Sequence, residues 1–528
     1  MATVERETVE NGDVRKALEG WGEGSPSGPR PRLKFINRCQ MILRPTDVER
    51  LVEPDHPVRA IWELVGRMNL EPFYQSIEAV EGVAGREPFD PRLLISLWIY
   101  AYSQKVSSAR QMSRRCEYDP AYQWLTGLEV INYHTLSDFR VQHQPALHEL
   151  FTQVLGVLSQ AGVVSLQRVM HDGTKIKAQA ADNSFRREPS LRRHLEAARQ
   201  QVEQLEREAR QDPDGQRQSR RQRQAQQRAA RQRQQRITQA LAELEQIRAS
   251  KNDPKERAEA RASLSDPQAR IMKQAQGAIG PAYNVQISTD APHRVVVGVG
   301  VSQAPTDAAE LAPALDRIEA NTGRPPDEMV VDGGFTNRET VEALQRRQVG
   351  LIGSLADHTP LSEAALRKRG VMEAFFPSAF RYEAAPNHYT CPTGKTLPYL
   401  GRERRKGASR YRYRAAAADC HPCPFRAQCC PDSRQGRSLV RTEEGPVMAA
   451  FKAKMATEAA QLIYKQRAGV AEFPNAWIKD KLGLRQFRLR GLIKVGLEAL
   501  WACLTYNVQQ WIRLIWHPQR LTFSVSAC

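Results

Sequence analysis

The chain has no run of 18 apolar residues, which excludes a transmembrane helix. Its longest apolar patch, around Leu497 to Ile515, is broken by Glu498, Asn507, Gln509, Gln510 and Arg513. The opening stretch, Met1 to Asp13, is polar and acidic and lacks the apolar centre of a secretion signal. A disulfide framework is missing as well: the nine cysteines are an odd number and bunch at Cys391, Cys420, Cys423, Cys429 and Cys430. That pattern suits a reducing cytoplasm and a metal site better than paired bridges. Acids are in short supply. Asp and Glu number 59 against 77 Lys and Arg, a formal charge of +18 with pI near 9.6. So large an excess points to a polyanion, most simply nucleic acid; the blander reading is a charge kept for solubility.

What is present is enough for several domains. At 528 residues the chain predicts roughly three or four, and a 41% hydrophobic content supplies real cores. Residues 1–45, rich in Gly, Pro and charge, read as a disordered tail. Residues 46–165 read as short helices. Val58, Ile61, Leu64, Val65 and Met68 keep helical spacing, and Pro91 opens an apolar helix. With Arg110, Arg114, Arg115 and Arg140 expected on the surface, this suits a helix-turn-helix-like DNA-binding domain; a plain helical domain with solvated arginines is the alternative.

Residues 166–355 alternate strands and helices, with an insertion at 186–262. The strands are expected around Val169–Lys177, Tyr283–Ser288, Arg294–Ser302, Met329–Asp332 and Val349–Ser354. A helix over 306–320 is capped by Thr306 and another spans Asn337–Arg347. That order predicts an α/β domain, a mixed sheet flanked by helices. The insertion reads as an antiparallel helical hairpin turning at Asp212-Pro213-Asp214-Gly215. Its second arm carries Arg217, Arg220, Arg221, Arg223, Arg228, Arg231, Arg233 and Arg236, with no acid from Gln216 to Leu241. Phosphate contact and a merely solvated face are both open. Residues 356–445 form a second, Cys-rich insertion. Cys391, Cys420, Cys423 and either Cys429 or Cys430 could make a tetrahedral structural zinc, set against free reduced thiols. Residues 446–516 are helical again, and 517–528 form a tail.

Two stretches share one design, a short apolar strand ending in a carboxylate: Val169-Met170-His171-Asp172-Gly173 and Met329-Val330-Val331-Asp332-Gly333. A third acid, Glu472, lies in the C-terminal helices. Taken singly, an Asp before Gly is usually a turn former, and Glu472 an ordinary surface residue. Together on one mixed sheet of a basic protein, they are expected to repel unless divalent cations neutralise them. Magnesium (or manganese) takes such oxygen donors, and two ions promote in-line phosphoryl displacement. The glycines after the two Asp would let backbone and DNA approach closely.

The strand ends at Asp172 and Asp332, and Tyr464, Arg467, Glu472 and Lys479 in one helical segment, resemble bacterial insertion-sequence transposases over about residues 45–516. These have an RNase H-like catalytic domain with a DDE triad. Tyr464-x2-Arg467 and Glu472-x6-Lys479 match the Y-(2)-R-(3)-E-(6)-K signature of one branch; the Arg-to-Glu gap here is four residues rather than three. The resemblance implies that Asp172, Asp332 and Glu472 bind two magnesium or manganese ions. It implies cut-and-paste chemistry on double-stranded DNA, with transposon ends cleaved and 3′-hydroxyls transferred to target. Tyr464, Arg467, Lys479, Lys175 and Arg140 are expected at phosphates. A homodimer on paired ends, in the bacterial cytoplasm at the nucleoid and away from membranes, follows. Two further classes stay open: an inactive transposase-derived DNA-binding protein, against which an intact triad argues, and a metal-dependent nuclease without strand transfer.

Overall fold

In the computed structural model, residues 45–517 are described apart from 78, 80–86, 212–219, 275–276, 355–362, 406–407 and 444. Most of the expected tail, the Asp212–Gly215 turn and Arg217 therefore lie outside the described residues. The compact unit begins at Val48.

The first part is helical: α1 (Pro57–Gly66), α2 (Pro91–Ser103), α3 (Ala109–Tyr118), α4 (Pro120–Thr126), α5 (Tyr133–Gln142) and α6 (Gln144–Gln160). Local chemistry sets the starts. The side chains of Asp90, Ser108, Asp119 and Asn132 each accept from a backbone N–H of the first turn. The arginines divide. Arg110 and Arg114 are exposed, and Arg115 pairs with Asp119 at 3.2 Å. Arg140, expected at the surface to meet phosphate, is buried. Its guanidinium lies over Trp98 and donates to the Ser107 carbonyl at 2.9 Å. It belongs to the core, because α5 turns that face onto α2.

The central sheet is built from β1 (Arg168–Lys177), β4 (Arg270–Lys273), β5 (Ile279–Asp290), β6 (Val296–Ser302), β7 (Glu328–Val331) and β8 (Gly350–Gly353), the small strands β2 (Phe185–Arg186) and β3 (Ala262–Ser263) standing apart. β6 pairs with β5, β5 with β1, β1 with β7 and β7 with β8. The first two pairings are antiparallel and the last two parallel. This is the mixed, RNase H-like sheet that the strand order predicted. β1 stands in the middle, and Val169 and Met170 are accordingly buried on opposite faces.

Between β1 and β5 rises the expected helical hairpin, α7 (Glu188–Gln211) and α8 (Arg220–Ala249), its base closed by pairing of β2 with β3. After β6 the chain differs from expectation. The helix starts at Leu311 rather than Thr306, giving α9 (Leu311–Thr322). Residues before it stay in a loop because the Asp307 carboxylate is engaged by Lys175, Asn284 and Gln286. α10 (Arg338–Arg346) then connects β7 to β8, with Asn337 capping it through the Thr340 N–H.

The Cys-rich segment is a second sheet of five antiparallel strands: β9 (Arg381–Glu383), β10 (His388–Thr390), β11 (Thr396–Arg405), β12 (Ala408–Arg414) and β13 (Ser438–Glu443). Then follow α11 (Pro446–Met455), α12 (Glu458–Asp480) and α13 (Leu492–Trp511). α12 packs across β1, β7 and β8. α13 lies against β6, α2 and α6, with Trp501 and Trp98 rings 6.4 Å apart. Its buried Asn507 accepts from Val296 N–H at 2.9 Å and donates to Val296 C=O at 2.7 Å. That satisfies backbone groups of β6 that have no strand beside them. No described helix is long and apolar enough to cross a membrane.

Candidate active site

Parallel pairing of β1 with β7 sets Met170 opposite Val330. Two residues further along, Asp172 stays within β1, paired with Ile287 of β5, and Asp332 stands just past the end of β7. Adjacent strands are about 4.8 Å apart, so the two carboxylates are neighbours. The electrostatics agree. Burial pushes the Asp172 carboxyl up to about 6, with Asp332 adding to the rise and Arg467 opposing it. Each acid has one oxygen fixed by an amide. Asp332 Oδ1 accepts from the Gly334 N–H at 2.8 Å. Asp172 Oδ2 accepts from Asn475 Nδ2 at 3.1 Å.

The third side of the site is α12. Thr457 caps it, and Pro474 sits inside it without ending it. Arg467, Ala471, Asn475 and Lys479 follow at intervals of four and form one row against β1. Arg467 Nη1 lies 3.9 Å from Asp172 Oδ1, and Nη2 4.0 Å from Glu472 Oε1. Ala471 is buried beside Met170, Val330 and Ile352. Lys479 donates to the Thr174 hydroxyl, and burial lowers its pKa against the pull of Asp172. Glu472 follows Ala471 and is turned about 100° from it; its side chain is 61% exposed. A gap of three residues would have put the acid at the buried Ala471 position. The gap of four puts it on the rim, within reach of Arg467. Tyr464 packs against the same Met170–Val330–Ile352 cluster.

The opposite face of β1 is a separate network. Gly173 and Lys175 point there by strand alternation. Lys175 forms an ion pair with Asp307 at 3.0 Å, so it turns away from Asp172 and is not available to phosphate as expected. Asp307 also accepts from Asn284 at 2.6 Å and Gln286 at 2.8 Å. A Cβ on Gly173 would stand 2.5 Å from Asp307 Oδ1. The glycine therefore makes room for a carboxylate of this chain, not for DNA as expected. Fully buried His171 bonds Gln286 Oε1 and Ser288 Oγ, each at 2.9 Å. Burial, aided by Arg317, lowers its pKa to about 3.

Asn475 and Asp307 were missed from sequence. The signal for Asn475 was its place eight residues after Arg467, on the same helical row. Asp307 sat beside a Thr that looked like a helix cap.

As donors, Asp172 and Asp332 suit a hard divalent cation: anionic oxygens, neighbouring and individually oriented. Among the described residues, however, no three His, Cys, Asp or Glu are gathered as a metal-binding group. This holds for Asp172, Asp332 and Glu472 and for the cysteines. Cys391, Cys420, Cys423, Cys429 and Cys430 do line one small cavity with Arg437. Cys391 Sγ accepts from Lys395 N–H at 3.2 Å and Cys420 Sγ from Arg437 N–H at 3.4 Å. Burial pushes the Cys429 thiol up to about 12.

Two family models match the chain. Residues 46–142 match one described as Transposase domain (DUF772), covering the helical N-terminal part. Residues 390–512 match one described as Transposase DDE domain, from β10 through α13 and including Glu472. No curated protein matches the chain.

Proposed function

We propose that this chain, which carries two transposase family domains, acts as an insertion-sequence DDE transposase with Asp172, Asp332 and Glu472 as its catalytic carboxylates. The reaction is cleavage at transposon ends, then transfer of the freed 3′-hydroxyls to target DNA. The observation that carries this reading is the β1–β7 register, which sets two oriented carboxylates beside each other under a helix bearing the third.

Asp172, Asp332 and Glu472 would hold magnesium or manganese. When bound, two such ions supply Lewis acidity to the attacking and leaving oxygens of an in-line phosphoryl displacement. The chain's own groups orient the rest. Asn475 and the Gly334 N–H fix the inner carboxylates. Glu472, exposed on the rim, has room to turn toward them. Arg467 and Lys479 set two cations on the α12 row, where a phosphate entering beside Asp172 would meet them. Tyr464 supports this row by packing. Two ends must be joined, so the working form is a homodimer with two active sites. Acting on chromosomal DNA, it would work in the cytoplasm at the nucleoid.

We also propose that Cys391, Cys420, Cys423 and Cys429 take a structural zinc that draws the cavity closed. Metal analysis of protein purified without chelators tests this: about one zinc per chain, lost in Cys423→Ser, is expected, and a metal-free, fully folded protein rejects it.

The function is tested with DNA carrying the element's ends, comparing wild type with Asp332→Asn in magnesium. Cleavage and joining by wild type, lost in the variant with DNA binding kept, are expected. Equal activity in both would make Asp332 a turn former. Cleavage without joining would make the protein a nuclease, and tight binding with no cleavage by either would make it a DNA-binding derivative.

A further inference from the structure

The hairpin α7–α8 is not used by the chemistry above, yet its second helix carries arginines and no acid before Glu243. At its base α8 is packed: Ile237, Ala240 and Leu244 are buried against Leu191, Leu195 and Ala198 of α7, and Ala230 is buried further along. Taking 100° per residue, Arg220, Arg221, Arg228 and Arg231 fall on the half of α8 turned away from that seam, and Arg236 lies at its margin. All five are exposed. Gln, Thr and Ala fill the remaining positions of this half, and α8 has no acid before Glu243. α7 answers only in part, through Arg231 and Glu206 at 2.9 Å, a solvated pair.

We propose that this outer face of α8 binds the phosphate backbone of duplex DNA away from the catalytic carboxylates. The proposal rests on the transposase reading. The face offers guanidinium and amide donors and no large apolar side chain. A helix from a second copy would need an apolar seam to pack on it, so the face suits a polyanion and not self-association. From Arg220 to Arg236 it extends about 24 Å at 1.5 Å per residue, roughly seven base pairs of duplex at 3.4 Å each. The root is anchored. Arg248 pairs with Glu188 at 2.6 Å, Arg270 of β4 pairs with Glu243, and β2 pairs with β3. The arm also leaves the chain just past the end of β1, the strand of Asp172. Duplex held on it would therefore be duplex flanking the DNA in the active site.

The test replaces Arg220, Arg221, Arg228, Arg231 and Arg236 together by Gln, and in a second variant by Lys. Affinity for an unrelated 40-base-pair duplex is measured against salt, along with oligomeric state and thermal melting. Each lost phosphate contact removes about 0.9 from the slope of log K against log salt. The Gln variant should lose about 3 to 4.5 in slope, and the Lys variant should keep most of it, with melting unchanged in both. Wild-type and Gln slopes that coincide would overturn the proposal while leaving the transposase reading intact. A Gln variant that changes oligomeric state but not slope would give the face to a second copy and overturn it too. Wild type that fails to bind any duplex would overturn both this proposal and the reading it rests on.

Discussion

The Asn475 amide donates to Asp172 at 3.1 Å, joining residues 303 apart in the chain. The orientation is forced, since the reversed amide would set its oxygen against a carboxylate oxygen. Asn475 Oδ1 then lies buried without a hydrogen-bond partner, a cost the fold carries to keep the donor in place.

Removing that donor should therefore harm catalysis more than folding. Asn475→Ala is expected to lower the cleavage rate about 10- to 100-fold, the worth of a hydrogen bond to a charged group, with little loss of melting temperature. Asn475→Asp should be worse, because it sets a second carboxylate against Asp172. Single-turnover cleavage at saturating DNA decides. An Asn475→Asp rate equal to wild type would remove Asn475 from the site.

Gly173 makes a second prediction. Its missing Cβ leaves space for Asp307 Oδ1 at 2.5 Å and Gln286 Nε2 at 2.7 Å. Both atoms belong to a hydrogen-bonded network with Lys175 and cannot move independently. Gly173→Ala should destabilise the fold by about 1–3 kcal/mol, the usual cost of overpacking. Urea unfolding measures it. An unchanged midpoint would mean that the network slides aside freely.

Arg140 separates a folding role from a binding role. Held over Trp98 and bonded to Ser107, it also lies beside buried Glu498, whose carboxyl it helps to keep charged against burial. Arg140→Gln should cost roughly 3 kcal/mol by removing the stronger of the two cations, Arg140 and Arg488, that act on that acid. The salt dependence of DNA binding should not change. A lower salt slope with normal stability would return Arg140 to the DNA surface.

These cases show what was legible in the sequence. The strand order was, because Val169-Met170-His171 and Met329-Val330-Val331 are apolar runs leading to Asp172 and Asp332, and a parallel pairing puts them together, although β1 runs on past Asp172 to Lys177. The hairpin was legible from the three- and four-residue spacing of Leu195, Ala198, Val202, Leu205 and Ala209. Contacts across the sheet were not. Lys175 and Arg140 looked like cations for phosphate because charge shows in a sequence and direction does not. Strand alternation turned Lys175 to Asp307, and the packing of α5 turned Arg140 inward. Glu472 was read as an acid on the helix, but its place on the rim depends on one extra residue after Arg467, worth about 100° of rotation. The five-stranded Cys-rich sheet went unread because its strands are polar, the two longest rich in Arg and Tyr rather than alternating with apolar residues.

The last prediction concerns pH. His171 is fully buried and neutral, with its pKa lowered to about 3 from an unfolded value near 6.5. Below pH 6.5 the unfolded chain takes up a proton at this site that the folded chain refuses. Stability from this group is therefore whole above pH 6.5 and falls as pH drops, by about 1.4 kcal/mol per unit until about pH 3. His56, His143 and His148 are shifted the same way by burial, so a melting curve alone would blend them. The direct measurement is the His171 imidazole resonance in isotope-labelled protein. It should stay flat between pH 5 and 8 and be lost on substitution to Gln. A resonance titrating near pH 6.5 would mean that the imidazole reaches solvent and that the Gln286–Ser288 network opens.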